Sequence, residues 1–136
     1  MFYARWQGSH VKWTWVVEVA LAVQEAQLAE HGGIGGTLDE GLLPSALARP
    51  QNLMARGEFP DAASLAAAYA FGIARNPLLD GSKRTAFVVM ELFLNLNGWA
   101  LEAEDADCIS TMQALAAGDL SEKALVTWLR GHIERE

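Results

Sequence analysis

Hydrophobic residues recur along most of this chain at the period of an α-helix. From residue 13 to residue 31, valine, alanine and leucine side chains return every three or four positions, and Gly32-Gly33 follows. This pattern is typical of a helix that stops at a glycine pair. Comparable patterns predict further helices at residues 39–56, 62–75, 82–97, 105–117 and 121–134. Asp61 directly precedes one of these segments and is a residue type suited to cap it.

Two short stretches modify this regular pattern. The segment at residues 39–56 contains Pro44 and Pro50. Because proline lacks the amide hydrogen that a helix interior requires, this segment is predicted to be a short or broken helix. Residues 99–101 are predicted to form a short extended piece, and no pair of strands with hairpin turn chemistry is recognisable.

The segment at residues 82–97 is the most apolar of the predicted helices. After its first turn, only Glu91 and Asn95 interrupt a run of valine, leucine, methionine and phenylalanine. A helix that is apolar on nearly all sides is buried all round. The pattern therefore predicts an all-α fold, a single-domain bundle of about six helices around this buried central helix.

Composition agrees with one globular domain. The chain has 136 residues, of which 51% are hydrophobic and 20% charged, so it is neither disordered nor too short to enclose a core. We assign residues 13–136 to the helical domain and leave residues 1–12 as an N-terminal segment of unclear role. The single cysteine, Cys108, excludes an internal disulfide and is consistent with a reducing cytoplasm; without catalytic neighbours in sequence, it is predicted to be inert.

Charge and hydropathy limit the partners of the chain. The formal net charge is −7, whereas a general nucleic-acid binder needs a basic face, so direct nucleic-acid binding is not expected. The apolar run at residues 13–23 is interrupted by Glu18 and is too short to cross a bilayer, so no membrane association is expected.

The candidate chemistry lies where a loop leads into the predicted central helix, at Asp80, Gly81, Ser82, Lys83 and Arg84. A helix N-terminus carries unpaired N–H groups and a partial positive charge. Glycine allows close approach of a ligand to the backbone, and Ser82 can act as N-cap. Cations in a first turn are normally disfavoured, so their presence indicates a site for an anion such as phosphate. The alternative is an ordinary capped helix whose two cations extend into solvent.

The same segment resembles the signature of the Fic/Doc superfamily, in particular its Doc (death-on-curing) branch. That signature reads His-x-Phe-x-Asp-(Gly/Ala)-Asn-Lys-Arg-Thr-Ala. The residues of this chain that match it position for position are Asp80, Gly81, Lys83, Arg84, Thr85 and Ala86. The similarity extends over roughly residues 15–130, most of the chain.

The resemblance implies a function and a set of roles. Doc proteins are toxins of toxin–antitoxin modules that use ATP and Mg²⁺ to phosphorylate a threonine hydroxyl of elongation factor Tu. An antitoxin silences them, and its C-terminal segment binds the toxin as a helix. By resemblance, the catalytic residues are Asp80, Lys83 and Arg84, and Asp80 contacts the metal ion. Gly81 and Ser82 join Lys83 and Arg84 in holding the phosphates of the nucleotide.

Three departures from the signature place the reaction in doubt. Asn76 stands where the family has its catalytic histidine, through either a substitution or a one-residue deletion, and its amide cannot accept a proton from an attacking hydroxyl. Leu78 replaces the motif phenylalanine, and Ser82 replaces the motif asparagine. Phe87 occupies the position of the second arginine of many Fic proteins, as expected for a Doc-like member. A weakened or abolished reaction is predicted.

Three functions therefore remain open from sequence. The chain is a Doc-like toxin of reduced activity, or a catalytically dead copy that still binds nucleotide or antitoxin, or a helical interaction module with no nucleotide role. Whether an active form would transfer phosphate or a nucleotide is also open, because the motif alone does not distinguish the two reactions.

Overall fold

The computed structural model describes residues 11–30, 42–56, 60–75 and 82–136. Within these ranges the all-α prediction is confirmed, since helices form nearly all of the regular structure. The elements are α1 (Val16–Glu30), α2 (Leu42–Leu47), α3 (Arg49–Ala55), α4 (Ala62–Ala74), α5 (Ser82–Leu96), β1 (Trp99–Leu101), α6 (Asp105–Ala117), α7 (Glu122–Arg130) and β2 (Ile133–Arg135).

The segment predicted to be broken forms two short helices. Helix α2 ends at Leu47 and α3 begins at Arg49, with Pro50 in the first turn of α3. Proline is tolerated there because the first N–H groups of a helix have no partner within the helix. The predicted break is therefore confirmed, and it separates the segment into α2 and α3.

The prediction for the last helix is wrong at its C-terminal end. Helix α7 ends at Arg130 rather than at residue 134, and Gly131 is its C-cap. The residues that follow pair with β1 in an antiparallel ladder, in which Trp99 lies opposite Arg135 and Leu101 opposite Ile133. The extended piece at 99–101 is thus confirmed as a strand. Its partner was missed because pairing with a distant segment competes with continuation of the helix.

The centre of the bundle consists of α5 packed along α4. Helix α5 also contacts α1, α6 and β1, whereas α4 contacts α2, α3, α6 and α7. Alanines occupy much of α4 and are buried, which allows its neighbours to approach closely. The predicted central position of α5 is confirmed, and α4 shares it. The expectation that α5 is buried all round is wrong, since Asn95 is exposed and Phe87 and Leu92 are only half-buried, whereas most residues of α4 are buried.

The start of α4 is fixed by a buried carboxylate. Asp61 is its N-cap, as predicted, and accepts a hydrogen bond from the backbone N–H of Ser64 at 2.9 Å. The Arg130 Nε of α7 donates to the other oxygen at 2.8 Å. Burial raises the pKa of Asp61, but the hydrogen bonds from Arg130 and Ser64 outweigh that effect, so the pKa lies below its ordinary value of 3.8.

Asp61→Asn is expected to lower the free energy of unfolding by about 1–3 kcal/mol at pH 7, because the variant loses the charged partner of Arg130. A carboxyl with a depressed folded pKa stabilises the protein above its unfolded pKa, and this contribution disappears as the pH falls through the folded value. Urea unfolding at neutral and acidic pH measures the effect, and the difference from the parent protein should shrink in acid. The control is Glu134→Gln, at an exposed acid. Equal stability of Asp61→Asn and the parent at pH 7 would contradict the assignment.

Candidate functional site

The predicted anion-binding cations lie in the first turn of α5. Lys83 and Arg84 are both exposed, whereas the next two residues, Thr85 and Ala86, are buried. Within the described ranges neither cation has an ion-pair partner. The structure thus brings Lys83 and Arg84 together at the solvent-facing start of the central helix, where their charge is available to a ligand.

The other predicted site residues fall outside this geometry. Asn76, Leu78, Asp80 and Gly81 lie outside the described residues, and so does the side chain of Ser82, whose backbone begins α5. Their proposed roles remain predictions from the motif. No group of three metal-ligating side chains occurs among the residues that the structure describes.

A buried hydrogen bond connects the first turn of α5 to α1. The Thr85 hydroxyl donates to the Gln24 side-chain oxygen at 2.7 Å, and the two residues are 0% and 1% exposed. A buried polar pair of this kind is costly to separate, because each group would lose its partner without gaining water. The bond fixes the turn that carries Lys83 and Arg84. Sequence reasoning missed it, although a threonine inside a strongly apolar helix signals a buried partner.

A second arrangement fixes the end of α4, immediately before the signature residues in sequence. The guanidinium groups of Arg49 and Arg75 each lie 5.2 Å from the centre of the Phe71 ring, within the range of cation–π attraction. Arg49 also pairs with Glu122 of α7. The stem of Arg49 lies against Gly72, where an added Cβ would come within 2.8 Å of the arginine Cδ. Arg75, the last described residue before the signature, is therefore held against Phe71 of α4.

A pocket of about 350 Å³ lies between α5 and α6, next to the two cations. We call it the α5–α6 pocket. Its lining residues are Lys83, Arg84, Phe87, Asp105, Cys108, Ile109 and Met112. The α5 side of the pocket is basic, whereas much of the rest is apolar. Ile109 is 58% exposed and lies at the edge of the pocket.

The cysteine in this pocket is a poor nucleophile. Burial raises the pKa of Cys108, and the carboxylates of Glu91, Asp105 and Asp107 raise it further. A thiol of raised pKa stays protonated at neutral pH, and the thiolate is the reactive form. This agrees with the prediction of an inert cysteine. It also indicates that the α6 side of the pocket is electrically negative.

In the part of the chain that the structure describes, no helix combines the length and apolarity required to cross a bilayer.

Comparison with known proteins agrees with the motif. The family model described as "Fic/DOC family" matches residues 15–94. A protein named "Protein kinase doc" from Escherichia phage P1 is 30% identical over 115 residues, which covers 83% of this chain and 90% of the relative. A protein named "Toxin Doc" from Mycolicibacterium smegmatis (strain ATCC 700084 / mc(2)155) is 38% identical over 104 residues, covering 71% of this chain and 80% of the relative.

Proposed function

The chain belongs to the Fic/Doc family, and from this premise we propose that it is the toxin component of a toxin–antitoxin module, with a weakened or lost ability to transfer phosphate from ATP to a protein hydroxyl. The observation that carries the proposal is that Lys83 and Arg84, in the first turn of the central helix, both line the α5–α6 pocket. The names of the two relatives, a protein kinase and a toxin, support the same activity.

The nucleotide-binding groups are proposed as an anion site formed by Gly81, Ser82, Lys83 and Arg84. The backbone N–H groups at a helix N-terminus suit phosphate oxygens, and arginine can contact two of these oxygens at once. Two exposed cations beside a pocket large enough for a small molecule fit this ligand. Asp80 would hold Mg²⁺, a role that rests on the motif alone; a bound Mg²⁺ would neutralise charge on the phosphates.

The reaction itself is where this chain departs from the Fic/Doc signature. In phosphate transfer the substrate oxygen bonds to the terminal phosphorus, the bond from that phosphorus to ADP breaks, and the hydroxyl proton must leave. Asn76 cannot accept that proton, because a neutral amide has no basic lone pair near pH 7. Positioning and charge neutralisation supply much of the catalysis in phosphate transfer, so residual activity is compatible with this loss.

The proposed partners follow from the family. The substrate is a threonine hydroxyl of elongation factor Tu, and the inhibitor is an antitoxin whose C-terminal segment binds as a helix in a surface groove. A second candidate function is a catalytically dead member that binds nucleotide or antitoxin only. Asn76 favours this second candidate, because it cannot accept the proton that phosphate transfer releases.

The proposal predicts three separate results for the purified full chain. Millimolar ATP with Mg²⁺ should raise the melting temperature, because a ligand that binds only the folded state stabilises it. Labelled ATP should transfer its terminal phosphate to elongation factor Tu slowly, and expression without a partner should slow bacterial growth. Nucleotide stabilisation without transfer or growth inhibition supports the second candidate. No stabilisation and no transfer would overturn a nucleotide role.

A further inference from the structure

The side chain of His132, just after α7, is held in one orientation. Its ring is stacked on the Trp128 ring, with the two centres 4.6 Å apart and the planes inclined by 26°. The ring nitrogen Nδ1 lies 2.7 Å from the Trp128 carbonyl oxygen. The backbone of His132 is fixed as well, since its carbonyl accepts a hydrogen bond from the N–H of Glu102 at 2.6 Å. The second ring nitrogen, Nε2, therefore has a defined position on the surface.

The contact with Trp128 determines which nitrogen of His132 is able to bind a further group. A carbonyl oxygen only accepts hydrogen bonds, so Nδ1 must be the donor. In the neutral imidazole the proton is then on Nδ1, and Nε2 carries a lone pair. Histidines that bind a metal ion through one nitrogen typically donate the other N–H to a backbone carbonyl or a carboxylate, which fixes the tautomer and the orientation of the ring. His132 already has this supporting hydrogen bond.

A carboxylate of α6 lies close to this nitrogen. The distance from Nε2 of His132 to Oδ2 of Asp107 is 3.7 Å, too long for a direct hydrogen bond. Nε2 of the neutral ring and the carboxylate oxygen are both acceptors, so their proximity is favourable only when a positive charge lies between them. Bonds to Zn²⁺ of about 2.0–2.2 Å place two ligand atoms roughly 3.3–3.5 Å apart at a tetrahedral angle. A small movement of one side chain would bring the two atoms to that separation.

The gap between the two side chains is open to solvent and has negative surroundings. The side chain of His132 is 33% exposed and that of Asp107 is 52% exposed, so a hydrated cation can reach both. Glu104 and Asp105, at the start of α6, are exposed too. Several carboxylates on one surface raise the local concentration of cations. Geometry and charge therefore favour the same kind of ligand.

We propose that Nε2 of His132 and Oδ2 of Asp107 together bind a divalent metal ion of the zinc type, with water in the remaining coordination positions. An imidazole with a carboxylate suits Zn²⁺, Ni²⁺ or Cu²⁺, whereas Mg²⁺ prefers oxygen ligands alone. The described residues contain no group of three metal-ligating side chains, so water completes the coordination and the ion exchanges readily. The bound ion connects α6 to the segment between α7 and β2. This site is independent of the proposed nucleotide site, and the failure of either leaves the other standing.

The test is calorimetric titration of the metal-free full chain with Zn²⁺ near neutral pH. We expect His132→Gln and Asp107→Asn each to weaken zinc binding at least about tenfold, because loss of even an outer partner of a metal ligand costs about 10–100-fold in affinity. Excess Mg²⁺ should not displace the zinc. Undiminished zinc affinity in His132→Gln would overturn the proposal. So would the absence of zinc binding by the parent protein, which would leave an ordinary ion pair between a protonated His132 and Asp107.

Two controls and one spectrum locate the ion. The chain has two other histidines, and His10→Gln combined with His31→Gln should bind zinc like the parent. Asp119→Asn removes an exposed carboxylate beyond the other end of α6 and should also bind like the parent, which controls for net charge. In the nitrogen NMR spectrum, zinc should shift the Nε2 signal of His132 while Nδ1 keeps its proton. An unchanged Nε2 signal at saturating zinc would place the ion elsewhere, and the proposal would fail.

Discussion

Arg84→Ala is expected to remove most nucleotide binding while leaving the stability of the fold nearly unchanged. Arg84 is exposed in the first turn of α5, and no described residue forms an ion pair with it. Exposed substitutions of this kind usually change stability by no more than about 0.5 kcal/mol. If the guanidinium makes two charge-assisted hydrogen bonds to phosphate, at about 1.5–3 kcal/mol each, its removal should weaken ATP about 100-fold or more. Calorimetric titration with ATP and urea unfolding measure the two quantities.

Two further variants separate charge from geometry. Arg84→Lys retains the positive charge but loses the planar fork, so its affinity should fall between those of the parent and Arg84→Ala. Lys123→Ala removes an exposed cation from α7 and should bind ATP like the parent, which controls for net charge. Full ATP affinity in Arg84→Ala would show that the first turn of α5 does not receive the phosphates.

Local signals in the sequence were sufficient for most helices. The segment predicted at residues 105–117 coincides with α6, and the segment at 62–75 differs from α4 by one residue. These helices have their start and stop residues next to them in sequence, such as Asp61 before α4 and Gly118 after α6. Helix propensity, capping residues and the hydrophobic period then all indicate the same helix ends. No distant segment pairs with these residues in place of the helix.

The end of α7 shows where local signals fail. Gly131 marks a possible stop, but nothing local shows that Ile133–Arg135 pair with Trp99–Leu101, more than thirty positions earlier. Such pairing forms only when the rest of the fold brings the two segments together. A short stretch of sequence contains no information about that approach. The short strand at 99–101 was predictable from its own residues, whereas its partner was not.

The candidate site likewise has one part that the sequence predicts and another that only the structure reveals. The motif places its residues next to one another in sequence, so Lys83 and Arg84 can be named as candidates without a structure; their role stays a prediction. The bond between Gln24 and Thr85 and the stacking of Arg49 on Phe71 join separate helices, and only the folded chain reveals them. The α6 wall of the pocket carries no motif at all, because isoleucine and methionine have no distinctive chemistry. Asp80 and its metal role remain predictions of the motif.

Phe93→Ala is expected to cost about 3–5 kcal/mol of stability, the usual penalty for removing a large buried ring. Phe93 is 0% exposed on the inner face of α5. Its ring centre lies 5.4 Å from that of Trp13 and 5.2 Å from that of Tyr69, so one side chain joins α4, α5 and the segment before α1. Since small domains are stable by only about 5–15 kcal/mol, the loss should be visible as a large fall in the urea midpoint.

Two comparisons decide whether this ring cluster holds the central helices together. Phe93→Leu keeps most of the apolar volume and loses the ring–ring contacts, worth about 0.5–1.5 kcal/mol for each pair, so it should be intermediate. Leu21→Ala, at an exposed position of α1, should change stability by no more than about 0.5 kcal/mol. A penalty for Phe93→Ala as small as that of Leu21→Ala would contradict the assignment. Folded Phe93→Leu should still bind ATP, because position 93 lies about 13 Å along the helix axis from Arg84, so that a loss of binding would reveal coupling between the core and the anion site.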